Sequence, residues 1–457
     1  MFFLSTVMAS TLITESVSAK DPFSEMDAEF EMDAEFQNDA EFQKKSASLM
    51  GASSFKSELE KFKLEEESEF DAYKKKFEEE FKVFKAIYEE EHNKYTKNIA
   101  KTWDKPVTSS RKVWVEYSDD LKEQRKVDFE NKKISIAITN INNETEQASD
   151  EELRSKLKGI LVKNKQEAFK DDVVAQAVEN RSKEQISLLK TSEVKPEPVL
   201  LPFISDKPRL TDKEIDEIVD RMLSMQVKKE TVNTKGKKVV SIEVPFNAIE
   251  EKHSKDKLSD KKPQTSNVKD VADLRVHTLP KPARHLRADV SKYAAQAKIN
   301  ESLVFAIIET ESAFNPMAKS PVPAYGLMQI VPTSAGQDAT AKLFGKAKIL
   351  APSYLYESEK NIEIGTTYLN ILYYRYLRGI TNEESRLYCS IAAYNTGAGN
   401  VAKAFTGKLK LRGAVKQINK LEPKEVFDHL VKNLPYDETK KYLLKVHKRI
   451  SKYKTSS

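Results

Sequence analysis

The stretch Leu303-Val304-Phe305-Ala306-Ile307-Ile308-Glu309-Thr310-Glu311-Ser312 decides how the C-terminal part of this 457-residue chain is read. Its apolar positions 303, 304, 307 and 308 form one stripe of a helix, and the next positions on that stripe are occupied by Glu311 and Phe314. A carboxylate where a core residue belongs costs free energy unless it is hydrogen-bonded or protonated. Burial raises a carboxyl pKa, which is what a general acid needs near neutral pH. Glu309 points elsewhere on the same helix and serves as the internal control. Taken alone, Glu311 also fits a helix-end glutamate that reaches solvent, so its surroundings decide.

Those surroundings are ordered. Asn315-Pro316 is expected to end the helix, Ser320 to Pro323 to form a turn, and Tyr325-Gly326-Leu327-Met328-Gln329-Ile330 to begin a second helix by way of its glycine. Further on, Ala393-Tyr394-Asn395-Thr396-Gly397-Ala398-Gly399-Asn400 closes another apolar helix with a glycine-rich turn. From Leu286 to Lys298 onward, helix-like segments follow one another without a convincing strand, so residues 284–457 read as all-α.

The N-terminal half reads differently. From Phe55, aromatic and apolar residues recur three and four apart (Leu59, Phe62, Phe70, Tyr73, Phe77, Phe81, Phe84, Tyr88), which predicts one long amphipathic helix. Beyond Pro106 the period becomes two. Val113, Val115 and Tyr117 predict a strand, Val127 to Ile138 a hairpin about Asn131-Lys132-Lys133, and Val240, Ile242 and Val244 the second strand of a hairpin at Gly236. Helical patterns cover 150–190 and 211–226. The fold class expected for the whole chain is therefore α+β: an α+β unit over 53–249, a polar, proline-containing linker over 250–283, and the all-α unit over 284–457.

Ahead of these lie an apolar N-terminus ending in Val17-Ser18-Ala19, which reads as a signal peptide over 1–19, and a flexible acidic segment over 20–52 built on a repeated six-residue unit. An exported, periplasmic protein is expected. No cysteine follows the apolar core, so any association with the outer membrane would not use a lipobox.

Composition excludes several classes. Lys and Arg exceed Asp and Glu by only 5, which points to no nucleic acid partner, and the one cysteine, Cys389, excludes a disulfide framework or a cysteine-rich metal site. The histidines show no ligand spacing, and neither a cofactor nor a metal is expected. Charge is unevenly placed. Residues 284–457 carry 27 Lys and Arg against 15 Asp and Glu, a net +12, leaving −7 for the rest. That basic unit suits an anionic partner such as a carboxylate-bearing wall polymer, or simply a solvated surface.

Glu311-Ser312, Gly326-Leu327-Met328-Gln329, Ala393-Tyr394-Asn395 with Gly397 and Gly399, and Glu438-Thr439 with Tyr442 together resemble, in order and spacing, the lysozyme-like catalytic domain of lytic transglycosylases of the soluble type. Lys101-Thr102-Trp103 and Lys112-Val113-Trp114-Val115-Glu116-Tyr117-Ser118 resemble the accessory domain of a membrane-bound murein transglycosylase of that family. The resemblance implies cleavage of the bond between N-acetylmuramic acid and N-acetylglucosamine in peptidoglycan with formation of 1,6-anhydro ends. It makes Glu311 the general acid and then base, with Tyr394 and Tyr442 as catalytic tyrosines beside it. It places Ser312, Ser320, Gln329, Met328 and Asn395 on the substrate side. Of these, Met328 reads more readily as packing, and Asn395 either braces its loop or contacts sugar. No second acid at family spacing is evident, which agrees with help from the substrate's acetamido group. Glycan strands are the expected partner, with cell-wall or division proteins as candidates for the N-terminal unit. A hydrolytic lysozyme and a non-catalytic wall-binding protein remain the alternatives.

Overall fold

The computed structural model describes residues 52–140, 149–234, 236–246 and 279–454. The apolar N-terminus, the acidic repeat and most of the expected linker lie outside these residues, as do the side chains of Phe55, Leu59, Phe62 and Phe70.

The first half opens with one long helix, α1 (Ala52–Ala100), followed by β1 (Val113–Tyr117), β2 (Glu123–Asp128) and β3 (Lys133–Asn140). Three helices come next, α2 (Asp150–Val162), α3 (Lys165–Asp171) and α4 (Val173–Gln185), then the two-residue strand β4 (Leu189–Lys190) and the short α5 (Leu201–Ile204). Helix α6 (Asp212–Ser224) precedes the hairpin of β5 (Val227–Val232) and β6 (Lys238–Pro245). The aromatic periodicity of α1 has its expected cause: Phe77, Phe84, Ile87 and Tyr88 are buried, and the helix packs along α4.

Both predicted hairpins form, and pairing of β3 with β6 merges them into one antiparallel sheet of order β1-β2-β3-β6-β5. Register places Ile134 opposite Val244 and Ile136 opposite Ile242, so the alternating apolar residues share one buried face. β5 is an edge strand exposed along its length, and its charged residues Lys228, Lys229 and Glu230 keep that edge solvated.

The second half starts earlier than its composition suggested. Leu279 and Ala283 are already buried, and α7 (Lys281–His285) is tied back to the first half by Lys281 donating to the Ile204 carbonyl (3.0 Å) and by Arg284 pairing with Asp206 (2.8 Å). It continues through α8 (Arg287–Ala297), α9 (Glu301–Ser312) and α10 (Ala335–Phe344) to a two-residue strand, β7 (Ile349–Leu350). Then come α11 (Pro352–Leu355), α12 (Ser358–Ile371) with a π-helical end over Leu372–Tyr376, α13 (Glu383–Thr396), α14 (Ala398–Thr406), α15 (Leu411–Ile418), α16 (Pro423–Asn433) and α17 (Asp437–Tyr453). The expectation of a unit without strands is corrected in one place. β7 pairs in parallel with β4 of the first half, Leu189 opposite Ile349, a partner that no local pattern in the second half announces.

The two halves bury a common core. The rings of Tyr88, Tyr325 and Tyr356 meet edge to face, with centroids 6.5 and 5.7 Å apart. Beside them the buried Lys165 ammonium reaches Glu197 (2.8 Å) and the equally buried Glu357 (3.5 Å), while Lys319 pairs with both oxygens of Asp172 (2.8 and 2.9 Å). Breaking a buried pair leaves an uncompensated charge, which is costlier than removing both partners. Lys165→Met is therefore expected to lose about 3 kcal/mol in urea unfolding, and Lys165→Met combined with Glu357→Gln to recover most of it. A single variant as stable as the parent would show that this pair does not hold the halves together.

Candidate active site

Helix α9 starts on an Asn300 cap, whose side chain accepts from the Ser302 amide (2.9 Å), and it is buried on nearly every side. It stops at Ser312, short of Asn315-Pro316, because Ala313 and Phe314 both turn left-handed (φ 50° and 66°). Two side-chain-bearing residues in that conformation cost roughly 1 kcal/mol each or more, and such strain gathers at functional sites. The reversal points the chain after Glu311 back across the helix end, where the buried Asn315 donates to the carbonyl of Arg111 (3.4 Å).

Glu311 is only 4% exposed. Removal from water pushes its carboxyl up to about 7, while the Arg111 guanidinium and the Tyr442 hydroxyl pull it back down and Glu438 pushes it up. Arg111 Nη1 stands 3.6 Å from Glu311 Oε2, and its Nη2 lies 2.5 Å from Glu438 Oε1. Glu309 gives the contrast that its place on the helix implied. Burial alone would raise it, but Lys452 (2.8 Å) and the Tyr453 hydroxyl (2.7 Å) both donate to its carboxylate and hold it below the usual range.

The residues expected around Glu311 occupy distinct positions. Tyr442, on α17, is buried with its hydroxyl beside the Glu311 carboxyl and without a fully formed hydrogen bond. Tyr394, on α13, stacks at a tilt on Tyr368 (5.6 Å) and feels the Glu311 charge, but its hydroxyl donates to the Met328 carbonyl (2.9 Å). Asn395 accepts from the Thr439 hydroxyl (2.7 Å), which joins α13 to α17. Ser312 is fully buried and spends its hydroxyl on the Ile308 carbonyl (3.0 Å), so it presents no group to a ligand in this arrangement. The Ser320 hydroxyl donates to the Val322 carbonyl, and the Ser320 carbonyl accepts from Tyr88 (2.8 Å).

The segment from Tyr325 to Ile330 is not the helix its sequence suggested. It is a closed turn: Tyr325 and Ile330 pair as an isolated bridge, Gly326 and Gln329 both take positive φ (76° and 50°), and helical structure resumes only at Ala335. Asn361 overrides the local preference. Its side chain donates to the carbonyls of Tyr325 and Leu355 (2.9 Å each) and accepts from the Met328 amide (2.8 Å), satisfying backbone groups that a helix would have used internally. Met328 is fully buried against Gly365, consistent with packing. Gln329 donates to the Gly326 carbonyl (3.1 Å), while its buried Oε1 has no partner.

Two residues were missed from sequence. Glu438 belongs to the motif with Thr439 and Tyr442 but had no role in it; about one turn before Tyr442 on α17, it brings a second carboxylate to the guanidinium that faces Glu311. Arg111 comes from the other half of the chain and carried no signal.

Residues 289–414, which include Glu311, match the family model described as the transglycosylase SLT domain. Over 166 residues the chain is 45% identical to the membrane-bound lytic murein transglycosylase C of Yersinia pestis (strain Pestoides F) and of Yersinia pseudotuberculosis serotype O:1b (strain IP 31758), a match covering 36% of this chain. The chain spans 45% of the length of these curated relatives. Among solved structures, the 70 kDa soluble lytic transglycosylase of Escherichia coli is 29% identical, with 38% of this chain and 25% of that chain covered at a TM-score of 0.29. An inactive mutant of the lytic transglycosylase Slt from Pseudomonas aeruginosa is 28% identical, covering 36% and 23% at a TM-score of 0.28.

The turn at Gly326 offers a direct test. A Cβ there would lie 2.3 Å from both Asn361 Nδ2 and the Leu355 carbonyl, on a backbone at φ 76°. Gly326→Ala is expected to cost more than about 2 kcal/mol, read as a lowered thermal midpoint. An unchanged midpoint would mean that the turn rearranges freely.

Proposed function

We propose that this chain is a peptidoglycan lytic transglycosylase of the cell envelope, with Glu311 as its acid and base. The observation carrying the reading is a carboxyl group sealed from water at the end of α9, raised to about 7, inside the segment that matches the transglycosylase SLT domain. In the proposed reaction the protonated Glu311 gives its proton to the glycosidic oxygen, and the bond to the anomeric carbon of N-acetylmuramic acid breaks. The leaving sugar departs as an alcohol, with the substrate's acetamido oxygen relieving the positive charge at that carbon. Glu311, now a carboxylate, then takes the proton from the 6-hydroxyl as that oxygen bonds to the anomeric carbon, which leaves the 1,6-anhydro ring and returns the acid to its starting state.

The remaining roles follow from position. Tyr442 faces the Glu311 carboxyl and orients it. Tyr394 acts through the turn over Met328 and Gln329, whose Met328 carbonyl its hydroxyl holds. Gln329, whose Oε1 has no protein partner, is the proposed sugar contact, with Ser320 and Asn395 at the margins of the site. An exported, periplasmic location follows from the substrate. The hydrolytic alternative uses the same acid and differs only in whether water or the 6-hydroxyl attacks, and a wall-binding protein without turnover would need no raised carboxyl at all.

Digestion of purified sacculi, with mass analysis of the released muropeptides, tests the proposal. Anhydro ends from the parent, and none from Glu311→Gln, are expected; reducing ends would make it a lysozyme. Because the acid must be protonated, kcat/KM is expected to fall about tenfold per pH unit above pH 7. The same raised carboxyl means that native-state stability is lost as pH rises through about 7, so Glu311→Gln should unfold at a higher temperature than the parent at pH 8. Tyr394→Phe removes one hydrogen bond, worth about 1 kcal/mol, and should slow turnover about fivefold. An unchanged rate would reduce that tyrosine to packing.

A further inference from the structure

The reaction asks Glu311 to be an acid in its first half and a base in its second. A carboxyl sealed among uncharged groups performs the first task well and the second badly, since its ionised form lacks a countercharge. The groups that face it are few. From α17 come Glu438 and Tyr442, from α13 comes Tyr394, and its neighbour Glu309 is turned to Lys452, Arg449 and Tyr453 at the far end of α17. Among the described residues, the cation paired with Glu311 is Arg111, and it is not part of the catalytic unit.

Arg111 sits in the loop that leads into β1, and that loop is held at several points. Ser110 donates its amide to the Val113 carbonyl (2.7 Å), the Ser109 hydroxyl both accepts from the Val115 amide (2.9 Å) and donates to the Val115 carbonyl (3.2 Å), and Phe129 donates to the Lys112 carbonyl (3.0 Å). The catalytic unit grips the same loop, through Asn315 on the Arg111 carbonyl and the Lys319 amide on the Ser110 carbonyl (3.4 Å each). The guanidinium is thereby delivered to a set place, anchored on Glu438 at 2.5 Å and reaching Glu311 at 3.6 Å. Its side chain is half-buried, with 40% of its surface exposed, and its charge is held by the two carboxylates it faces.

We propose that Arg111, supplied by the N-terminal unit and steered by Glu438, is a positioning residue of this active site that stabilises the ionised form of Glu311 between the two halves of the reaction. This rests on the transglycosylase reading and assigns the N-terminal unit a chemical part in it: the site is incomplete without the β1 loop. An opposite charge within about 4–6 Å lowers a carboxyl pKa by one to three units. Its removal raises that value, so the acid stays protonated to higher pH and the carboxylate needed for the second half becomes harder to form. Glu438 acts on the acid with the opposite sign, since its own charge raises Glu311.

The test is the pH profile of turnover on sacculi with the full chain. Arg111→Gln should move the alkaline limb up by about one unit or more and lower kcat about tenfold or more. Arg111→Lys, which keeps the charge, should leave the limb close to the parent, and Glu438→Gln should move it to lower pH. A structural role alone would lower all rates without moving the limb in opposite directions. A limb that coincides in Arg111→Gln and the parent, or one that Arg111→Lys shifts as far as Arg111→Gln does, overturns the proposal. Should the parent release no muropeptides, the functional reading fails instead. The carboxyl resonance of Glu311 in protein carrying carbon-13 glutamate, assigned by its loss in Glu311→Gln, still reports whether Arg111→Gln raises its titration midpoint. No shift there sinks the Arg111 inference independently.

Discussion

Everything at the site follows from placing one carboxyl group, that of Glu311, where water cannot reach it. Helix α9 is apolar on almost all sides, so its last turn has no solvent to offer, and the free energy of ionising Glu311 must be balanced locally. The structure balances it only in part. A guanidinium at 3.6 Å and a tyrosine hydroxyl draw the carboxyl down from where burial alone would hold it, leaving it near neutrality. A group so balanced gives and takes a proton with comparable ease, which the proposed two-step chemistry requires. Glu309 lies two residues away and is less deeply buried, and its lysine and tyrosine partners hold it ionised. Burial and partners together separate the two carboxyl groups of one helix.

That balance depends on the two halves of the chain keeping their places. Lys319 follows closely on the helix reversal and is clamped by Asp172 of the first half, while its amide holds the β1 loop. Tyr88 of α1 donates to the Ser320 carbonyl, and its ring lies against Tyr325 at the start of the glycine turn. The wall of the site is thus set from outside the catalytic unit. The aromatic stripe of α1 covers core and also fixes the backbone on which the candidate sugar contacts sit.

Much of this was legible in order along the chain. The amphipathic period of α1, both hairpins and the lone acid on an apolar stripe are local patterns, because each reflects contacts within a few residues. The expected helix at Tyr325 failed for the complementary reason. Its composition is compatible with helix, but Asn361, on α12, supplies hydrogen bonds to Tyr325 and Met328 that make the turn the better arrangement. Ser312 was read toward substrate by its place in a motif, whereas its hydroxyl is satisfied one turn back on its own helix.

The amino-acid sequence by itself determined the α+β class, the helix that carries Glu311 and the place of that glutamate on its apolar stripe, since hydrophobic period and a polar exception to it are properties of neighbouring residues. Only the tertiary structure decided which charges meet that acid. Arg111 lies some 200 residues from Glu311 in the chain and joins it through a loop whose sequence has no pattern of its own. Electrostatic interaction depends on distance in space and on the local exclusion of water, and neither quantity is written in the order of the residues.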